Sequence, residues 1–210
     1  MSDLKSDPPI VSAASWPVRG IVGASECVLR IERRVLSGLM ALLVILVLIN
    51  VVTRYAGVPI YWIDEASVYT MVWLTFVGAS IMTRLRLDFS VGMLTEKLSP
   101  RGVRIARIVA TACVLSFALA MVWMCWTWLD PIGIASYGFD AHAYAGESFN
   151  FLYTERTQTL NWPVWILRMV MPLFAISLTL HALANLFEDL SWTPRQSRRN
   201  FPVSSPDMVN

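Results

Sequence analysis

Four long apolar stretches set the pattern of this chain, at residues 35–53, 66–82, 105–129 and 163–187. The first lies between Arg34 and Arg54 and carries no ionisable group. At about 1.5 Å per residue it is long enough, as a helix, to cross a hydrocarbon core roughly 30 Å thick. The second, Ala66 to Met82, is similarly uncharged and holds Gly78, Ala79 and Ser80 in a row, small residues that let a neighbouring helix approach closely. Trp123, Trp126 and Trp128 close the third stretch, and Trp162 and Trp165 flank the start of the fourth. With Trp62 they place six of the nine tryptophans at one set of span ends, as an aromatic interface belt requires. Pro163 suits the first turn of a helix, whereas Pro172 should kink the fourth span. The expected fold is therefore an all-α integral membrane protein with four transmembrane helices.

Polar joints separate the spans. Residues 1–17 are rich in Pro, Ser and Asp and read as a disordered N-terminus, and 191–210 as a disordered tail, which leaves 18–190 as one membrane domain. From Val18, the residues Ile21, Ala24, Val28, Ile31 and Val35 recur at helical spacing with Glu26, Arg30 and Arg33 on another face. That pattern fits an amphipathic helix lying on the membrane, or equally a helix that extends the first span into water. Val91, Leu94 and Leu98 predict a second short interfacial helix, stopped by Ser99 and Pro100.

Composition agrees, with 56% hydrophobic and only 15% charged residues and a mean hydropathy of +0.54. The net charge of +2 carries less information than its distribution. Lys5, Arg19, Arg30, Arg33 and Arg34 precede the first span, Arg84, Arg86, Lys97, Arg101 and Arg104 lie between the second and third, and Arg195, Arg198 and Arg199 follow the fourth. The loop 130–161 instead carries Asp130, Asp140, Glu147 and Glu155 against Arg156. By the positive-inside rule both termini face the cytoplasm, while the 54–65 turn and the acidic loop face out. No stretch resembles a nucleic-acid patch, and the bilayer is the expected partner of the spans.

Little in the chain suggests chemistry of its own. Cys113 and Cys125 are about 18 Å apart along one predicted helix, too far for a disulfide, and no zinc spacing is present, so no metal is expected. His142 and His181 fall on opposite sides of the membrane, which excludes a bis-histidine haem between them; His181 and Asn185 are expected to make interhelical hydrogen bonds. No nucleophile with a partnering base and no phosphate loop appears, so neither catalysis nor a cofactor is expected. The span centres also lack the charged groups on which a stand-alone pump relies. What remains is a polar cluster at the start of the second span. Arg54 can bridge to Asp64 or Glu65 across the turn, or these residues can contact another protein.

These residues resemble the small membrane subunit of the tripartite ATP-independent periplasmic (TRAP) transporters, the DctQ-like family. The resemblance covers about residues 30–190. It rests on four spans, on Asn50 and Arg54 ending the first, on Trp62 and Glu65 before the second, and on Val72, Trp73, Phe76, Gly78, Ala79 and Arg84 within and after it. One departure follows Arg84: where relatives commonly show a histidine and, later, an aspartate, this chain has Asp88, Phe89 and Gly92. The resemblance implies a non-catalytic scaffold in the bacterial inner membrane, bracing a large membrane subunit that moves a solute, often a carboxylate, on a sodium gradient. A periplasmic binding protein would be the third partner. Asn50, Arg54, Trp62, Glu65, Trp73, Gly78, Ala79, Arg84 and Asp88 are then the expected subunit-interface residues. A membrane redox anchor and a small self-assembling exporter are the alternative readings.

Overall fold

The computed structural model describes residues 16–87 and 99–194, and all of its regular elements are helices. We number them α1 (Trp16–Tyr55), α2 (Tyr61–Leu85), α3 (Pro100–Leu129), α4 (Pro131–Ser136), α5 (Ala141–Ser148), α6 (Val164–Arg168) and α7 (Val170–Asp189). Four helical stretches are long and apolar enough to cross a membrane: α1, α2, α3 with α4, and α6 with α7. Asp88 and the interfacial helix expected around 91–98 lie outside the described residues, as do most of the N-terminal segment and residues 195–210.

The segment 18–34 is not a separate helix, because it continues the first span within a single 40-residue helix. Val18, Val22, Ser25 and Leu29 recur every three or four residues and are buried, so the first half of α1 presents one face to the bundle. A tight turn at Ala56 and Gly57 reverses the chain into α2, and Gly57 holds φ at +75°, a conformation that a side chain disfavours.

The expected kink in the fourth span is present. α6 ends at Arg168, four residues before Pro172, whose ring would collide with that carbonyl in a continuous helix. α7 then packs against α1, α2 and α3. Its Ala175, Leu178, Ala182 and Ala184 are buried, and the alanines let the neighbours approach closely. The outward faces of α1 and α3 stay apolar and exposed, among them Val44, Leu48, Phe117 and Trp123, as suits contact with lipid.

The loop 130–161 is a folded cap on one end of the bundle. The Asp130 carboxylate accepts from Gly133 N–H at 3.0 Å and from the Tyr144 hydroxyl at 2.8 Å. A Cβ at position 133 would lie 1.9 Å from that carboxylate, so any larger residue there would have to displace the Asp130 side chain from its cap. Asp140 caps α5 by accepting from the amides of His142 and Ala143. Asn150 Nδ2 donates to Trp128 O at 2.9 Å and Tyr153 donates to Leu129 O, which seats the cap on the end of α3.

Candidate functional site

Polar side chains gather at the two ends of the bundle. At the end that carries the cap, Asn50 and Arg54 lie one turn apart on α1 and converge on Asp64 in the first turn of α2. Arg54 Nη2 reaches Asp64 Oδ2 at 2.6 Å, Asn50 Nδ2 donates to Asp64 Oδ1 at 2.6 Å, and Arg54 Nε donates to Asn50 Oδ1 at 3.0 Å. The bridge across the turn therefore forms with Asp64. Its neighbour Glu65 faces the other way and accepts from the amides of Gln158, Thr159 and Leu160 at 3.0, 2.8 and 3.0 Å, and from the Thr159 hydroxyl. Two adjacent carboxylates thus hold two different partners, Asp64 the end of α1 and Glu65 the end of the cap.

Trp73, two turns further along α2, donates from Nε1 to Leu167 O at 2.9 Å, where the break after α6 frees a carbonyl. Gly78 and Ala79 are half-buried, and a Cβ at Gly78 would meet only Leu36 Cδ1, at 3.8 Å. Trp62 is exposed.

The opposite end holds a denser cluster. Arg84 is wholly buried within its own chain, with Nη1 2.5 Å from Asn185 Oδ1 and 2.9 Å from Glu188 Oε1, and Nη2 2.7 Å from Glu26 Oε1. Arg86 sits just past α2 at φ +56°, an unusual backbone for a residue with a side chain. Its guanidinium holds Asp189 at 2.8 Å and donates to Asn185 O at 2.7 Å, and Asp189 also accepts from Thr111 of α3 at 2.9 Å. One turn inward, His181 links α7 to α1 twice, through Nδ1 with Ser25 Oγ at 2.7 Å and Nε2 with Glu32 Oε2 at 3.0 Å. Ser80 Oγ donates to the other Glu32 oxygen at 2.7 Å and lies 2.8 Å from Ser177 Oγ. Buried ionic groups of this kind persist only when paired, and here the pairs tie α1, α2 and α7 together, with the Thr111 hydrogen bond to Asp189 adding α3.

His181 and Asn185 make the interhelical hydrogen bonds expected of them, to different helices rather than to each other. Both ring nitrogens of His181 are engaged inside the chain. Sequence reasoning missed the roles of Ser25, Glu26, Glu32, Glu188 and Asp189. The available signal was the match between Arg84 and Arg86 at the end of one span and Glu188 and Asp189 at the end of another.

The family profile described as "Tripartite ATP-independent periplasmic transporters, DctQ component" matches residues 43–191. The chain belongs to that family. Among curated DctQ-type relatives, the "C4-dicarboxylate TRAP transporter small permease protein DctQ" of Vibrio cholerae is 28% identical over 102 residues, 48% of this chain and 44% of the relative. A protein of Haemophilus influenzae, provisionally named a TRAP transporter small permease protein, is 36% identical over 80 residues, 37% of this chain and 48% of the relative. The chain thus spans less than half the length of either relative it matches. No solved structure matches it. The DctQ match begins at residue 43, so Ser25, Glu26 and Glu32, which complete the buried cluster, lie ahead of it.

Proposed function

We propose that this chain is the small, non-catalytic scaffold subunit of a TRAP-type importer in a bacterial inner membrane, with both termini in the cytoplasm. In this reading it braces a large membrane subunit that moves the solute, a carboxylate, on a sodium gradient. The observation that carries the proposal is the family match over most of the membrane domain. The geometry supports it physically. The ionic side chains at the Arg84 end pair with one another, a pattern that builds a rigid body more readily than a permeation path.

The surface offered to partners follows from what the bundle leaves uncovered. Asn50, Arg54, Trp62 and Glu65 lie at the cap end, where the folded loop stands against α2, and we assign this end both to the large subunit and to the docking of a periplasmic binding protein. The apolar faces of α1 and α2 near Gly78 and Ala79 are assigned to the large subunit; Arg84 supports that face from inside, and Trp73 fixes its tilt. Asp88 continues from this end of α2 in the sequence and is retained as a contact candidate.

The test is deletion of this chain from its host, followed by uptake of a labelled C4-dicarboxylate and affinity copurification with the large subunit. Loss of uptake that is restored by the intact chain, together with copurification, is the expected result. Unchanged uptake in the deletion strain would defeat the proposal. For the interface, Glu65→Lys and replacement of Gly78 by a bulky residue should each weaken copurification, and full retention by both variants would reject that assignment.

A further inference from the structure

Between α1, α2 and α7 lies a groove of about 240 Å³, lined by Val35 of α1, Trp73, Phe76 and Val77 of α2, and Leu173 and Phe174 of α7 among others. Its walls are braced by side-chain contacts. The Trp73 ring is held by its bond to Leu167 O, and Phe76 meets Phe174 edge to face with centroids 5.2 Å apart. The groove opens sideways, since Ile31, Val35 and Leu173 on its lining are exposed.

Its polarity is graded along the helix axes. The three polar contributors, Glu32, Ser80 and Ser177, hydrogen-bond to one another. Ser80 and Ser177 are also the lining residues of α2 and α7 nearest the end of the bundle that holds Arg84, Arg86, Glu188 and Asp189. Trp73, at the other limit of the groove on α2, lies at the middle of that helix. The groove therefore has a polar end near one membrane surface and an apolar end deeper in, which is the polarity of a phospholipid in the adjacent leaflet. The apolar part of the groove favours apolar guests over water, and inside a bilayer the guest at hand is an acyl chain.

We propose that this groove is a lipid site, which holds one acyl chain of a phospholipid from the leaflet on the Arg84 side, with the lipid's polar linkage beside Ser80, Ser177 and Glu32. The site exists because the His181 contacts to Ser25 and Glu32 pin α1 to α7 at that end while leaving the helices apart beside Val35 and Leu173. The inference does not depend on the transport assignment, because it rests on the groove alone.

The test uses the full chain in vesicles of phosphatidylethanolamine and phosphatidylglycerol that contain a phosphatidylethanolamine with a photoreactive diazirine on its acyl chain. After irradiation, peptide mass spectrometry should place the label on the segments around Val35, Phe76 and Leu173. Val35→Trp and Leu173→Trp, changes at exposed rim positions that fill the groove, should reduce that labelling several-fold, while Ile105→Trp on the exposed face of α3 should leave it unchanged. Native mass spectrometry should in parallel find one phospholipid retained by the unaltered chain and lost from the two rim variants. Uniform labelling of all lipid-facing helices, equal retention by the rim variants, or crosslinking of a Val35→Cys variant to a protein partner in place of lipid would each overturn the proposal.

Discussion

Arg84 and Glu26 meet at 2.7 Å across 58 residues of sequence, the guanidinium wholly enclosed and the carboxylate 27% exposed. The contact requires that α1 continue well beyond its apolar stretch and lie along α2, so that a glutamate from the amphipathic segment comes level with the end of α2. Glu188 completes the site from α7. Replacing the arginine with an apolar residue leaves these two carboxylates without the cation that both contact. Breaking a buried pair from one side costs about 3–5 kcal/mol. Arg84→Met should therefore lower the thermal midpoint of the detergent-solubilised protein sharply, and adding Glu188→Gln should recover part of the loss. An unchanged midpoint in Arg84→Met would show that the pairing does not hold the bundle together.

The bridge at the other end should behave differently. Arg54 and Asp64 are about half exposed, and exposed pairs contribute roughly 0–1 kcal/mol. Arg54→Ala should barely change stability. If uptake in cells nevertheless falls severalfold with normal protein levels, the bridge serves a partner and not the fold. A fall in stability as large as that of Arg84→Met would contradict this account.

Glu65 makes its effect visible at particular amides. Its carboxylate accepts from residues 158, 159 and 160, so Glu65→Ala should speed hydrogen exchange at those three positions and leave α5 protected by its own cap. Exchange that is unchanged at all three would mean that the cap is held to the bundle by other contacts.

Asp140 supplies a pH dependence within the cap. Its carboxyl is held below the ordinary aspartate range because it accepts from the amides of Ala143 and His142. A folded-state value below the unfolded one means that the stabilisation is present above the unfolded pKa, about 3.9, and is lost as pH falls through the folded value. The amides of 142 and 143 should therefore lose protection only in acid, below about pH 4, and Asp140→Asn, which keeps an acceptor oxygen, should flatten that dependence. Protection that declines near neutral pH would assign the effect to another group.

Gly78 tests how much of the small-residue face the chain uses internally. A methyl group there meets Leu36 only at ordinary contact distance, so Gly78→Ala should leave stability nearly unchanged. Gly78→Leu must displace α1 or rotate outward, and overpacking of this kind costs about 1–3 kcal/mol. Thermal midpoints of the two variants distinguish the cases, and equal midpoints would indicate open space on that side of α2.

Hydropathy and the placement of charged and aromatic residues were enough to locate four spans and the kink at Pro172, because these depend on transfer into lipid and on local sterics, which each segment carries within itself. The same reasoning reached Arg54 and its choice between Asp64 and Glu65, since the turn keeps those residues together. It could not decide the role of residues 18–34, whose mixed pattern suits a membrane surface and a bundle face alike. The choice depends on His181, Asn185 and Glu188, which lie about 150 residues away along the chain and become neighbours of Ser25, Glu26 and Glu32 only when α7 packs against α1. The cap shows the same division: Asp130, Asp140 and Gly133 are locally legible turn residues, but only the packed bundle brings the amides of 158–160 to Glu65. Local patterns report what each segment can bury, and the tertiary structure decides which buried polar groups find one another.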